Sequence, residues 1–212
     1  MGRIELKSRE EIKWMREAGL VVADIHRSLR EAARPGITTR ELDAVSAEAI
    51  RRGHATSNFL NYAGYPATVC ISINDVVVHG IPGQRKLEEG DLVSFDCGAW
   101  VAQNGRQWHG DAAFSMIVGD EWISDEEFAQ GKRAHGAAPG GLSDEVIRRR
   151  RELDGVTRES LWAALANLEG ARRVSAVGAA VEDVVALNAD ELGWEAGIIE
   201  EYTGHGIGTA MH

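Results

Sequence analysis

Twice near its start the chain shows the spacing with which a serine or threonine closes a helix N-terminus against a glutamate: Ser8 with Glu11, and Thr38 with Glu41. Behind the first signal, Ile12, Met15, Val22, Ile25 and Leu29 recur at helical intervals until Pro35-Gly36 interrupts them. Behind the second, Leu42, Val45 and Ala49 share one face up to Gly53. The texture then changes to short β-rich runs: Ala67 to Ile73, Val76 to Val78, Leu92 to Phe95 and Ala113 to Val118, punctuated by turn signals at Asn74-Asp75, Gly90 and Gly110. The order is helix, helix, then several strands, read as antiparallel. Further on it begins again, with Leu161, Leu165 and Leu168 marking a third helix, Val174, Val177, Val181 and Val184 a fourth, and Ile198-Ile199 a strand. A duplicated architecture would continue into a second sheet matching the strands that carry Asp96 and Asp111. The sequence reaches His212 first, so the second half reads as unfinished.

Between the two copies, Asp125 to Gly155 dissolves into Ala, Gly, Pro and charge, which reads as a surface insertion with a short helix around Asp144 to Leu153. Its arginine run, Arg148 to Arg151, is neutralised locally by Asp144, Glu145, Glu152 and Asp154. The chain as a whole carries a net charge of -10 and a pI near 5.2, a field that repels phosphate backbones and anionic lipid. Nucleic-acid and membrane-surface partners are therefore not expected. No apolar run is long enough for a signal peptide or a span, so a cytoplasmic chain is expected. The two cysteines, Cys70 and Cys97, form no metal or disulfide pattern and read as reduced thiols in strands.

Three segments set metal-ligand residue types beside glycine at strand ends. In Val78-His79-Gly80-Ile81-Pro82 the histidine also serves simply as a turn residue. In Phe95-Asp96-Cys97-Gly98 and His109-Gly110-Asp111-Ala112 each carboxylate borders an apolar run. Desolvating both there without a cation would be costly, although a surface hairpin explains the pair alone equally well. In Tyr202-Thr203-Gly204-His205-Gly206-Ile207-Gly208, glycines on both sides let the ring of His205 approach a ligand closely.

Taken together, His-Gly-Ile-Pro at 79–82, Asp96, Asp111 and Tyr-x-Gly-His-Gly-Ile-Gly-x-x-x-His from Tyr202 to His212 resemble the methionine aminopeptidases, most closely the bacterial type I form without a Cys-rich N-terminal extension. The resemblance covers Ser8 to Val118 and Val156 to His212. It implies an α+β, pita-bread (creatinase/aminopeptidase-like) fold of two pseudo-symmetric halves around a dinuclear metal centre. That would be one catalytic domain over residues 1–212: an N-half of about 1–120, an inserted loop of about 125–155, and a partial C-half of about 156–212. It also implies roles. Asp96 resembles the bidentate ligand of one ion, Asp111 the carboxylate bridging both, and His205 the ligand of the other. The ions would be Co, Mn, Fe or Zn. His79 is similar to the histidine that contacts the scissile amide, and His212 to the one that donates to the carbonyl oxygen. Tyr62, Tyr65, Cys70 and Met211 fall where the family builds its methionine pocket, with Phe59 narrowing it. Read without the family, aromatics at 59, 62 and 65 serve equally as core. The implied substrate is a nascent polypeptide, met at the ribosome, that begins with Met before a small residue, and the implied state is a monomer.

Departures matter as well. The stretch between Asp96 and Asp111 is longer than in the family, which implies an enlarged hairpin loop over Val101 to Gln107. The family's centre is completed by two glutamates on closing strands that would lie beyond His212, so the resemblance implies a C-terminally truncated member, inactive or impaired. Two other readings stand beside it: a proline dipeptidase-like hydrolase, and a non-catalytic pita-bread relative that binds peptides or proteins.

Overall fold

Both capping boxes form in the structure, a computed structural model that describes residues 5–194, 196–199 and 201–212. The Ser8 side chain accepts from the Glu11 amide while the Glu11 carboxylate accepts from Ser8, and helix α1 runs Arg9–Ala32. Thr38 and Glu41 repeat the exchange at the head of α2, Thr39–Arg52. Each cap contributes about 1 kcal/mol. Helix α1 buries Ala18, Val21, Val22, Ile25 and Leu29; Ile12, part of the periodic pattern, stays exposed.

Among the described residues four strands follow: β1, Thr56–Ser57; β2, Val69–Ile73; β3, Leu92–Gln103; and β4, Arg106–Ile117. All pairings are antiparallel, with β1 and β2 successive along one edge of β3 and β4 along the other. The expected enlarged loop between the aspartates is absent. Instead β3 and β4 are each twelve residues long and meet in a two-residue turn, Asn104-Gly105, with φ of 51° and 72°. Positive φ at both positions is the geometry whose twist matches antiparallel strands, and Asn-Gly is the pair that adopts it most readily. The extra residues thus lengthen the hairpin, and Gly110, read as a turn signal, lies inside β4.

Register explains the layering. Val93, Phe95, Cys97 and Ala99 of β3 point to one face, opposite Met116, Phe114, Ala112 and Gly110, and α1 and α2 pack there with Val69, Ile71 and Ile73 of β2. The other face carries Ser94, Asp96, Gly98 and Trp100, with His109, Asp111, Ala113 and Ser115 across from them and Cys70 and Ser72 on β2. Because side chains alternate along a strand, the sheet separates a dry core from a polar face.

Val76–Val78 does not form the expected strand. Asn74 turns the chain with φ of 57°, its side chain bonds Asp91 and the Leu92 amide, and the three valines lie exposed in a loop.

The described residues up to Asp120, with His205–His212, make one compact unit; Glu121–Gly204 make a second. The second holds α3, Asp125–Ala129; α4, Asp144–Asn167; and α5, Ser175–Leu192. Helix α4 joins what the sequence suggests as two pieces, the short helix of the inserted loop and the third helix. Its arginines are held by carboxylates a turn away, with Arg148 at 2.8 Å from Glu145 and 2.7 Å from Glu152. Residues 196–199, expected to hold a strand, have no regular structure. No helix among the described residues is long and apolar enough to cross a membrane.

Candidate active site

A cavity of about 530 Å³ opens in the first unit on the polar face of the sheet. Its lining includes every residue singled out from the sequence: Phe59, Tyr62, Tyr65, Cys70, His79, Asp96, Asp111, His205, Met211 and His212. Ala63, Gly64 and Pro66, and Ile81 of the His-Gly-Ile-Pro motif, complete it.

The two carboxylates meet through the hairpin register. Asp111 lies opposite Gly98 and Asp96 opposite Ala113, so the aspartates share a face at the diagonal position, roughly 7–8 Å between Cα atoms in such a ladder. Burial pushes the Asp96 carboxyl upward, opposed by the imidazoles of His79 and His205. Burial and then the charge of Asp96 push Asp111 up to about 6, opposed by His205. Two half-buried carboxylates resist ionising side by side, and a cation placed near both would relieve that cost.

His79 comes from the loop after β2, with φ of 57°. That loop is pinned at the next residue. Gly80 accepts from the Ile71 amide at 2.9 Å and donates to Ser72 Oγ at 3.2 Å, and the Tyr65 hydroxyl donates to its carbonyl at 2.9 Å. A Cβ at position 80 would lie 2.1 Å from the Ile71 carbonyl oxygen, so only glycine lets the loop approach β2 this closely.

His205 and His212 belong to a segment without regular structure. His205 Nδ1 donates to the Gly206 carbonyl at 3.0 Å, which places its proton and leaves Nε2 as the free lone pair. Its ring meets that of His212 edge-on at 4.4 Å, and His212 Nδ1 lies 3.2 Å from the Tyr62 hydroxyl. Beside them Phe59, Cys70 and Met211 form a small buried apolar cluster against Tyr65, whose ring meets Phe59 edge-on at 6.5 Å. Burial, with the charges of Asp96 and Asp111, pushes the Cys70 thiol up to about 11, so it lines the pocket as a neutral group.

The donor chemistry, two carboxylate groups and one imidazole with its lone pair free, fits a divalent metal ion. The arrangement itself stops short of coordination: among the described residues no three His, Cys, Asp or Glu side chains are gathered closely enough to hold an ion. The ligand types face one cavity without converging on a point.

Two residues behind the site had no role in the sequence reading. Asn58 and His109, both 7% exposed, bond to each other on the cavity side of the sheet. His109 could have been found, since it precedes Asp111 by one strand period and shares its face. Asn58 carries no such signal.

The family model of metallopeptidase family M24 matches residues 13–212. Methionine aminopeptidase 1 of Mycobacterium tuberculosis is 39% identical over 207 residues, covering 97% of this chain and 67% of its own length. The methionine aminopeptidase of Mycoplasma capricolum is 35% identical over 209 residues, 99% of this chain and 70% of its own. Among solved structures, methionine aminopeptidase from Thermotoga maritima superposes with a TM-score of 0.70 at 29% identity, covering 99% of this chain and 71% of that one. The α+β architecture is accordingly the pita-bread fold, and the family is one of divalent-metal hydrolases. A cavity that joins carboxylates and histidines, on a chain that matches the family over nearly its whole length, leads to one assignment: the protein belongs to metallopeptidase family M24, within its methionine aminopeptidases.

Proposed function

We propose that the chain removes methionine from the N-terminus of newly made polypeptides whose second residue is small, acting as a cytoplasmic monomer on chains leaving the ribosome. One observation carries the reading: Cys70 of the apolar pocket sits directly opposite Asp96 in the sheet register. A side chain seated among Phe59, Cys70 and Met211 therefore holds its own backbone against the carboxylates, which is what removal of a terminal residue requires. An unbranched, flexible methionine suits a pocket built from a thiol, a thioether and ring edges.

In this reading Asp96, Asp111 and His205 would hold the metal, a pair of divalent ions of the Co, Mn, Fe or Zn type. When bound, the ions supply Lewis acidity that activates water and polarises the scissile carbonyl. His79, held by the Gly80 anchor, contacts the scissile amide. His212, its Nδ1 engaged by Tyr62, offers Nε2 to the carbonyl oxygen as charge grows there, where an oriented donor is worth about 3 kcal/mol. Tyr62 and Tyr65 wall the methionine pocket, with Phe59 narrowing it.

Two ions bring four positive charges against two carboxylates, so the 212-residue polypeptide is expected to bind them weakly and turn over slowly. The test measures methionine release from Met-Ala-Ser with saturating Mn(II) or Co(II), beside Leu-Ala-Ser and an X-Pro dipeptide. Slow release confined to the methionine peptide supports the reading. Preference for the X-Pro substrate, or no release with either metal, overturns it for this polypeptide.

A further inference from the structure

We infer that Asn58 is a positioning residue for the candidate metal site: reaching across Gly98, it holds β4 and, through His109, the segment that carries His205, and so sets the spacing between Asp111 and His205. The inference rests on the reading of those two residues as ligands.

The register makes the argument. Strand β1 pairs Thr56 with Trp100 and Ser57 with Ala99, and Asn58 continues it by one residue, its amide donating to the Gly98 carbonyl at 3.0 Å. Gly98 in turn faces Asp111, so Asn58, Gly98 and Asp111 form a row across three strands on the cavity side. The middle member has no side chain, and it cannot have one: a Cβ there would lie 2.6 Å from Asn58 Nδ2 and 2.9 Å from Asn58 Cβ. The space that a residue at 98 would fill is occupied by the Asn58 amide.

Both ends of that amide are engaged. Its Nδ2 donates to the Gly110 carbonyl at 3.0 Å, and its Oδ1 accepts from His109 Nδ1 at 2.9 Å, which fixes the imidazole with its proton on Nδ1. Asn58 thus grips β4 at the two residues that immediately precede Asp111. His109 passes the constraint on, because its backbone amide donates to the Gly208 carbonyl at 3.0 Å. The same strand position therefore anchors one ligand along the chain and the other across it. Neither Asn58 nor His109 lines the cavity, so Asn58 acts through its neighbours.

Two readouts on the full 212-residue chain test this. Hydrogen exchange of the His109 amide, measured without metal, reports the grip on the His205 segment; the Co(II) absorption titration reports the ligand spacing. Asn58→Leu, similar in size and unable to bond, is expected to exchange at His109 at least tenfold faster, with Ile25 and Leu29 in α1 unchanged, and to bind Co(II) at least tenfold more weakly. Asn58→Asp, which keeps the acceptor for His109, is expected to fall between it and the parent. Thr68→Val removes the hydroxyl's bonds to Asp43 and Ser46 in the same unit, keeps the backbone bond to Asp43, and should leave both readouts within twofold. Equal changes in Thr68→Val and Asn58→Leu would reduce Asn58 to ordinary stability, and parent-like values in Asn58→Leu would remove the inference altogether. Should Asn58→Leu fail to fold, Asn58→Ser carries the same comparison. If the parent takes up no Co(II), the ligand reading falls, and exchange alone then decides whether Asn58 holds the segment.

Discussion

Helices α1 and α4 are both twenty-four residues long and both start at a capping serine, yet they do different amounts of work in the fold. Helix α1 sinks an unbroken stripe, Ala18, Val21, Val22, Ile25 and Leu29, into the core beneath the sheet. Helix α4 buries Ile147, Val156, Ser160 and Ala164, and leaves Leu161, Trp162 and Leu165 exposed. Its neighbour α5, eighteen residues long, buries only Ala180 and Val185 and leaves Leu187 70% exposed. The lesson is that an amphipathic helix acquires stability from the face it meets: α1 meets a pleated apolar surface, whereas α4 and α5 meet chiefly each other. The site residues all lie in the unit where that surface exists, and rigid elements hold side chains in place better than loosely packed ones.

The sharpest way to break this contrast is to delete side chains from matched helices. Ile25→Ala removes a fully buried side chain from the main core and should lower unfolding stability by about 2–5 kcal/mol in urea denaturation. Leu187→Ala removes a larger exposed surface and should change it by less than about 0.5 kcal/mol. Comparable losses would mean that the second unit is as tightly built as the first.

A smaller effect comes from the caps. At α1 the exchange is reciprocal, with the Ser8 amide donating to Glu11 at 2.7 Å; at α4, Ser143 only accepts, from Val146 at 3.3 Å. Ser8→Ala should cost about 1 kcal/mol and Ser143→Ala less. A larger loss from Ser143 in the same denaturation experiment would reverse the ranking of the two helices.

The contrast also explains which parts were legible beforehand. Helices α1 and α2 announced themselves because caps and apolar stripe agreed. The long hairpin is hard to read from sequence because its site face needs glycine and carboxylates where a strand usually has alternation: Gly98 leaves room for Asn58, and Gly110 has the signature of a turn although the chain turns at Asn104-Gly105. Val76 to Val78 misled in the other sense, since a β-branched run without alternation has no face to bury. The Ala- and Gly-rich stretch conceals the start of α4, whose first turns carry carboxylate pairs such as Glu145 with Arg148 and Arg149. At the site, ligand types were visible as motifs. Their support was not, because Asn58 acts through backbone carbonyls whose positions only the register reveals.

The finest test concerns the contact between α1 and β4. His26 is half-buried on α1, with Nε2 donating to the Ala112 carbonyl at 2.9 Å and its ring against Phe114 at 4.7 Å. Burial first, and then the charge of Arg30, hold its pKa below the usual 6.5, although the bond to Ala112 opposes them. The unfolded chain therefore takes up this proton before the folded one. Stability from the neutral ring is complete above pH 6.5 and declines as pH falls from there toward the lowered value. Asp111 works in the opposite sense, since a carboxyl raised to about 6 binds its proton more tightly when folded and so favours the fold as pH falls. The parent alone would mix the two. Urea denaturation at pH 7.5 and 5.5 should show a greater loss in the parent than in His26→Gln, whose amide keeps a donor on α1 without titrating, and equal losses would show that the seam between α1 and β4 tolerates the charge.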